Sequence, residues 1–367
     1  MTVFKVIRRV LFVLLVTVLF AAVAAYTLLH TIVNGPSETI RDMLVLSAKQ
    51  ASATKWLPAL FMDESLVERI VASSQDQNAE EIDPEDFLSP DVTPSVKPGE
   101  TVPETADPWE DAIDGMRFLT VSGPTYKGYV LLVRDPSRVY VATSTNNYSG
   151  AARGGRIYEI GPRDGAVAGI NGGEFFDEGG RGSGAQPIGL TYADGKCVWN
   201  DGMRRTFVGI DGDDRLFVAN SMTKAEADAM GIRDAVSFQN NNVLIKEEDG
   251  KALAYYADDN TGTAQRTAIG QARDGTFILI VTDGRTASSL GATPNDIIDL
   301  MLSYGAVNAA MLDGGSSAMM YYEKFYEKYG VDEDTLDKYQ KLGLVNKYKA
   351  FTPPRHLPTF FMVKGGE

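Results

Sequence analysis

The sequence is nearly empty of the two residues that most often hold metal ions or act as catalytic nucleophile and base. Of 367 residues, one is cysteine, Cys197, and two are histidine, His30 and His356. A single cysteine closes no intrachain disulfide, and no Cys/His framework for a structural zinc can be assembled. Catalysis has to rest on carboxylates, Arg, Asn, Ser and Tyr. Basic residues are also in deficit, with 35 Lys and Arg against 49 Asp and Glu, a formal net charge of −14. Such a surface repels polyanions, which excludes nucleic acid as a general partner while leaving room for a local basic pocket.

Charge is missing altogether from Val10 to Val33, 24 residues without Asp, Glu, Lys or Arg. At about 1.5 Å per residue they span roughly 36 Å, enough for a bilayer core with some tilt. Lys5, Arg8 and Arg9 precede the run. The positive-inside rule therefore predicts a cytoplasmic tail (1–9), a transmembrane signal anchor (10–33) and an extracytoplasmic remainder. Small residues at Ala21, Ala22, Ala24 and Ala25 also suit a cleaved signal peptide. The run is long for such a peptide, whose apolar core is usually about 7–15 residues, so an uncleaved anchor is expected.

Residues 34–74 carry apolar positions at helical spacing (Ile40, Met43 and Leu44, then Leu66, Val67 and Ile70), interrupted by Pro58. Two short helices in a juxtamembrane stalk follow. Residues 75–113 are rich in Asp, Glu and Pro and poor in large apolar side chains. A segment of that kind buries too little to offset chain entropy and reads as an extended, disordered linker.

From Asp114 to Glu367 short β-rich runs alternate with Gly, Asp and Asn. Asp194-Gly195 and the cluster Asp211, Asp213, Asp214 read as hairpin turns; the cluster lacks the spacing of a calcium-binding loop. "TKAEADAMG" has Thr223 as cap, Glu226 three residues later and Gly231 as stop. "TPNDIIDLMLSYG" has Thr293 as cap, Pro294 at the first helical position and Gly305 as stop. That helix lies between "FILIVTDGR" and "VNAAMLDGGSS". Strand, helix, strand predicts a βαβ unit with parallel strands, whose C-terminal ends place Asp283 and Asp313 at one sheet edge. Residues 321–351, rich in Lys, Glu and Tyr, read as a helical insertion. The fold class expected is α+β or mixed α/β, a single mixed-sheet domain with few helices.

Small residues followed by a polar group recur at strand ends. The clusters are Asn171-Gly172-Gly173-Glu174, Arg266 to Gly270, Asp283-Gly284-Arg285 and Asp313-Gly314-Gly315-Ser316-Ser317, with Arg355 before the last strand. Glycines let a substrate approach the backbone and expose amide donors. Arginines present planar forks to phosphate or carboxylate, and Asp or Glu serve as acid, base or nucleophile. An Asp-Gly or Asn-Gly taken alone is an ordinary turn; the weight lies in their convergence on one edge.

"INGGEFF", "RTAIG", "VTDGR", "MLDGGSS" and "RHLPTFFMV" occur in the order found in the phosphodiester glycosidase family, which the chain resembles from Arg117 to Lys364. The resemblance implies a mixed α/β domain that hydrolyses a glycosyl-1-phosphodiester. It marks Asn171, Glu174, Arg266, Asp283, Arg285, Asp313, Gly314, Gly315 and Ser316 as matching positions. Two departures stand out: Ser316 occupies the usual third glycine position, and the Tyr-rich segment separates Asp313 from Arg355. On this basis Arg266, Arg285 and Arg355 would grip phosphate, aided by amides near Gly314 and Gly315. Asp313 would face the anomeric carbon as base or nucleophile, with Glu174 and Asp283 as alternatives. Asn171 and Ser316 would hydrogen-bond sugar or phosphate oxygens. No cofactor is required by the sequence, and a divalent cation is left open. The expected partners are a sugar-1-phosphodiester or glycopolymer and, through Val10–Val33, a membrane. The alternative readings are a metal-dependent phosphodiesterase and a non-catalytic glycan-binding domain of the cell envelope.

Overall fold

The computed structural model describes residues 2–49, 54–74, 77–88, 109–177, 182–238, 242–257, 262–284, 286, 289–346, 348 and 353–366. The chain divides into two units, residues 1–74 with 259–262, and residues 75–258 with 263–367.

In the first unit, helix α1 (Thr2–Val33) carries the uncharged run, and the most apolar 18-residue window within Phe4–Val33 has a mean hydropathy of 2.6. It is long and apolar enough to cross a membrane. Its threonines cause no polar deficit in such a setting, because the hydroxyls of Thr17, Thr27 and Thr31 donate to the carbonyls four residues earlier. Helices α2 (Glu38–Lys49) and α3 (Glu64–Ser73) follow, and Val45, Leu46, Val67 and Ile70 close a small core between them. These are the two helices expected of the stalk. Pro58 starts a 3₁₀ turn between them instead of breaking a longer helix.

The second unit is mostly sheet. Its first strands are β1 (Gln77–Ile82), β2 (Met116–Ser122), β3 (Lys127–Val133), β4 (Val139–Thr143) and β5 (Ala166–Asn171). Next come β6 (Leu190–Ala193), β7 (Lys196–Asn200), β8 (Arg205–Ile210), β9 (Leu216–Met222), β10 (Asp234–Phe238), β11 (Val243–Glu248) and β12 (Lys251–Ala257). The last are β13 (Thr267–Ala272), β14 (Phe277–Thr282), β15 (Ala306–Leu312), β16 (Met320–Tyr322) and β17 (Thr359–Lys364). The helices of this unit are α4 (Ile157–Asp164), α5 (Lys224–Ala229), α6 (Pro294–Ser303) and the single turn α7 (Phe325–Lys328).

Eight strands form one sheet in the order β1-β12-β11-β15-β13-β14-β3-β2. A four-stranded sheet runs β16-β5-β17-β4, and a five-stranded one runs β7-β6-β10-β8-β9. Strand β14 reads "FILIV" without alternation because both of its faces are buried. Phe277, Leu279 and Val281 enter a core shared with Ile170 and Phe361 of the four-stranded sheet and with Val208 and Val236 of the five-stranded one. Ile278 and Ile280 point the other way, onto Ile297, Ile298, Met301 and Leu302 of α6. Thr293 caps α6 in a full capping box with Asp296, and α5 has the same arrangement between Thr223 and Glu226. The turn at Asp194-Gly195 joins β6 to β7, with both residues at positive φ.

Three expectations are corrected. Strands β14 and β15 do run in the same direction, but they are not neighbours: β13 lies between them and pairs antiparallel with each. The tight turn after β13 first folds β14 back on it, and the α6 crossover then has to land on the other side. Second, the acidic stretch expected to be disordered supplies β1, paired along its length with β12. Its polar sequence, "QNAEEI", suits an edge strand held by backbone bonds and by surface pairs such as Glu81–Lys251 at 2.9 Å. Residues 89–108 of that stretch lie outside those described. Third, the Tyr-rich segment is not a helical insertion. Tyr321 and Tyr322 are buried in β16, and among the described residues only α7 and 3₁₀ turns at Glu333–Thr335 and Gln340–Leu342 follow; Gly330 and Gly343 at positive φ stop the first and last of these, and the middle one ends in extended backbone at Leu336.

Candidate active site

One edge of the large sheet gathers the polar groups. β14 runs out at Thr282 and hands on to Asp283; β15 runs out at Leu312 and hands on to Asp313. Between them β13 begins, and Thr267 pairs with both Val281 and Leu312. Arg266 therefore stands between the two aspartates in register. Its amide donates to the Thr282 hydroxyl at 3.0 Å, and its Nε donates to the Ala292 carbonyl at 3.0 Å, which fixes one side of the guanidinium. Arg285 lies outside the described residues.

Asn171 is the last residue of β5, in the second sheet, and it is fully buried. Its Nδ2 donates to the Asp313 carbonyl at 2.5 Å. Its Oδ1 accepts from the Thr267 hydroxyl at 2.7 Å and from the Met319 amide at 3.1 Å. One amide thus ties the start of β13, the end of β15 and the approach to β16 together. Asn171 is a brace that sets the height of Asp313, where the sequence suggested a ligand to substrate oxygens. Glu174 follows three residues on; its amide donates to the Ser237 carbonyl at 3.2 Å, and its carbonyl accepts from Ile188 at 3.2 Å.

The Asp313 turn needs both of its glycines, for different reasons. A Cβ on Gly314 would come within 2.8 Å of the Gln265 carbonyl oxygen. Gly315 has open space but sits at φ +60°, a conformation that costs an L side chain. The Gly315 amide already donates to the Gln265 carbonyl at 2.9 Å, so it is not the anion donor expected of it. Ser316 is on the exposed side of the turn, whereas Ser317 is buried.

Asp313 has the unusual environment. The residue keeps some exposure, but its Oδ2 is enclosed and has no hydrogen-bond partner among the described residues. Desolvation pushes its carboxyl from 3.8 up to about 7. The Ser317 hydroxyl opposes this, without a hydrogen bond of standard geometry; the negative charges of Glu174 and Asp177 add to it, and the positive charge of Arg355 opposes it. Near neutral pH such a group can both give and take a proton.

Asp283 is held differently. Its Oδ2 accepts from the Tyr129 hydroxyl at 3.0 Å, its amide donates to the Lys127 carbonyl at 2.7 Å, and its carbonyl accepts from Ser289 at 2.7 Å. Burial, and then this carboxylate, raise Tyr129 well above its ordinary value, so the phenol stays a donor. Arg355, expected to grip phosphate, has its fork on Asp177 instead, with Nη1 to Oδ2 at 2.8 Å and Nη2 to Oδ1 at 2.9 Å. The guanidinium lies over the Phe175 ring at 4.8 Å. Its effect on Asp313 is electrostatic.

The structure thus brings Asn171, Arg266, Asp283, Asp313 and the glycine pair to one edge, with Glu174 and Arg355 inside the electrostatic reach of Asp313. Sequence reasoning missed Tyr129 and Asp177, and it included Thr267 and Ser317 in the strand-end clusters without giving either a role. Asp177 could have been found, since it is a third polar residue in the "NGGEFFD" cluster. Tyr129 sits in an apolar strand and carries no local signal. Among the described residues no group of three or more His, Cys, Asp or Glu side chains is placed to hold a metal ion.

The sequence model of one family, described as phosphodiester glycosidase, matches residues 164–364, more than half of the chain. The chain belongs to the phosphodiester glycosidase family. All of the strand-end clusters fall inside that match, while Tyr129 precedes it. An uncharacterized SPbeta prophage-derived protein of Bacillus subtilis (strain 168), YomE, is 30% identical over 191 residues, which is 50% of this chain and 28% of that protein. The chain therefore corresponds to less than a third of that relative's length. Among solved structures, the catalytic domain of zebrafish N-acetylglucosamine-1-phosphodiester alpha-N-acetylglucosaminidase, auto-inhibited by its pro-peptide, superposes with a TM-score of 0.50. The identity is 19%, over 68% of this chain and 82% of that one, so the likeness is one of fold. A phosphodiester glycosidase fold of this kind, mixed α+β and dominated by sheet, is what the ordered motifs implied.

Proposed function

We propose that this chain is a membrane-anchored hydrolase that cleaves a glycosyl-1-phosphodiester at the bond between the anomeric carbon and oxygen, with Asp313 as the proton-transferring carboxyl. The observation that carries the reading is the enclosed Oδ2 of Asp313, without a hydrogen-bond partner among the described residues, on a turn held in place by Asn171 and beside the charges of Glu174 and Arg355. A phosphate monoester has a second pKa of about 6. An acid near 7 is matched to such a leaving group, so proton donation to the departing oxygen is close to thermoneutral.

Arg266 and Arg285 hold the phosphate, with the amides of Gly314 and Ser316 in place of Gly315. Glu174 is the second carboxylate, available to activate water or to stabilise positive charge at the anomeric carbon. Asp283, fixed by Tyr129, orients the sugar. The anchor at Val10–Val33, with Lys5, Arg8 and Arg9 before it, puts the domain on the extracytoplasmic side. There the substrates are sugar-phosphate links in envelope glycopolymers or exopolysaccharides.

The test is to incubate the full chain, in detergent, with a panel of sugar-1-phosphodiesters and to read products by mass. A free sugar and a phosphate monoester, formed by the wild type and lost in Asp313→Asn, are expected. Tight binding of intact substrate with no product would replace the hydrolase reading with that of a glycan-binding domain.

A further inference from the structure

The segment between Asp313 and Arg355 encloses a second space. It leaves β16, forms α7 and two 3₁₀ turns, and returns to lock itself behind the Asp313 turn. Asn346 Nδ2 and the Tyr348 hydroxyl both donate to the Ala318 carbonyl, at 3.0 and 2.9 Å, and Asn346 Oδ1 accepts from the Met320 amide at 2.9 Å. Between this loop and α4 lies a cavity of about 540 Å³, within the size range of small-molecule sites.

Its walls define what it can hold. Tyr158, Tyr321 and Tyr326 supply aromatic surface, and Gln340 supplies an amide. Gln340 Nε2 donates to the Tyr326 hydroxyl at 2.7 Å and its Oε1 accepts from the Asp337 amide at 3.1 Å, so that corner is preset and leaves the second Nε2 hydrogen for a ligand. Flat rings with fixed polar groups at their margins suit a ligand that has an apolar face and a rim of hydroxyls. Charge narrows the choice. Glu323, Glu327 and Glu333 line the space against Lys324 and Lys341, and Lys341 is already paired with Glu333 at 3.8 Å. This balance gives no advantage to a phosphate group and favours a neutral ligand. The rim also carries Lys324 at φ 52°, a left-handed conformation rare for lysine and of the kind that accumulates at binding sites.

Position links the cavity to the catalytic edge. The Tyr348 ring, on Ala318, is 5.9 Å from that of Tyr339, which is 6.3 Å from that of Tyr158 on the cavity wall. On the other wall, Tyr326 packs into the same core as Tyr129, whose hydroxyl holds Asp283.

We propose that this cavity is a saccharide-binding subsite that takes a neutral sugar unit of the substrate away from the bond being cleaved. The enzyme then acts on an oligomeric or polymeric glycan and not on a small phosphodiester alone. The identity of that glycan as substrate rests on the hydrolase reading; the binding of saccharide does not.

The experiment is calorimetric titration of the full chain, in a detergent without a sugar headgroup, with neutral tetrasaccharides of glucose, galactose or N-acetylglucosamine. Wild type, Asp313→Asn, Tyr158→Ala and Leu342→Trp are compared; the last places a bulky indole at a half-exposed position on the cavity wall. At least one tetrasaccharide should bind wild type and Asp313→Asn alike, and at least tenfold more weakly to both cavity variants. Unchanged thermal unfolding shows which cavity variant has kept its fold, and either one suffices. No saccharide binding to wild type, or binding that a folded cavity variant leaves unchanged, overturns the proposal. Saccharide binding by a wild type that hydrolyses no phosphodiester would leave the subsite standing and remove the hydrolase reading.

Discussion

Replacing Asp313 by Asn is expected to abolish turnover and to stabilise the fold at neutral pH. The side chain keeps its shape, and the charge that the enclosure disfavours is removed. The native carboxyl is raised from 3.8 to about 7, so between those values the folded chain binds more protons than the unfolded one. By linkage, native stability falls as pH rises through that window and is level above it. At 1.36 kcal/mol for each tenfold change in the proton equilibrium, the ceiling is about 4 kcal/mol. The partial exposure of the residue screens part of it, leaving roughly 2 kcal/mol. For a unit of roughly 290 residues that is a rise in Tm of about 3 °C. Thermal unfolding by near-ultraviolet circular dichroism, at pH 8 and at pH 4, is the assay. The variant should melt higher at pH 8, and the gap should nearly close at pH 4, where the folded carboxyl is protonated and the unfolded one is close to its own midpoint. A variant that melts lower than wild type at pH 8 would mean that the ionised carboxylate makes a stabilising native bond, and the reasoning from the unpartnered Oδ2 would fail.

Other outcomes follow from the same geometry. With Asp313 as acid, kcat should be level below pH 7 and fall tenfold per unit above it, a profile read directly from initial rates. Arg355→Gln removes a positive charge that lowers the Asp313 value, so the alkaline limb should move to higher pH; a limb that does not move separates Arg355 from the site. Asn171→Ala leaves the Thr267 hydroxyl and the Met319 amide without their acceptor, and should cost about 2–4 kcal/mol in urea unfolding. Gly315→Ala puts a side chain at φ +60° and should cost about 1–2 kcal/mol, with a larger loss of activity than of stability.

The site was more legible than the fold around it. Caps at Thr223 and Thr293 and the apolar run of β14 were visible because helix signals and buried strands are local. Strand-helix-strand connectivity was enough to put Asp283 and Asp313 on one edge. It could not show that β13 lies between them, because pairing partners are chosen by the whole sheet. The edge strand β1 escaped notice for a related reason: a strand held by backbone bonds at the rim needs no apolar pattern. Asn171 and Arg355 were found as residues, but their roles changed once their partners were seen. The amide of Asn171 is spent inside the protein, and the fork of Arg355 is closed by Asp177. Ser317 was passed over for Ser316, since only the turn geometry shows which hydroxyl faces the carboxyl. The Tyr-rich segment has the charge content of a surface helix, yet its glycines and Asp-led turns build a loop around a cavity.

The most direct test of the central claim is to run the hydrolysis in oxygen-18 water and to locate the label in the products. Cleavage at the anomeric carbon predicts oxygen-18 on the released sugar and none on the phosphate monoester. Label on the phosphate would mean attack at phosphorus, the chemistry of a phosphodiesterase, and would contradict the role given to Asp313.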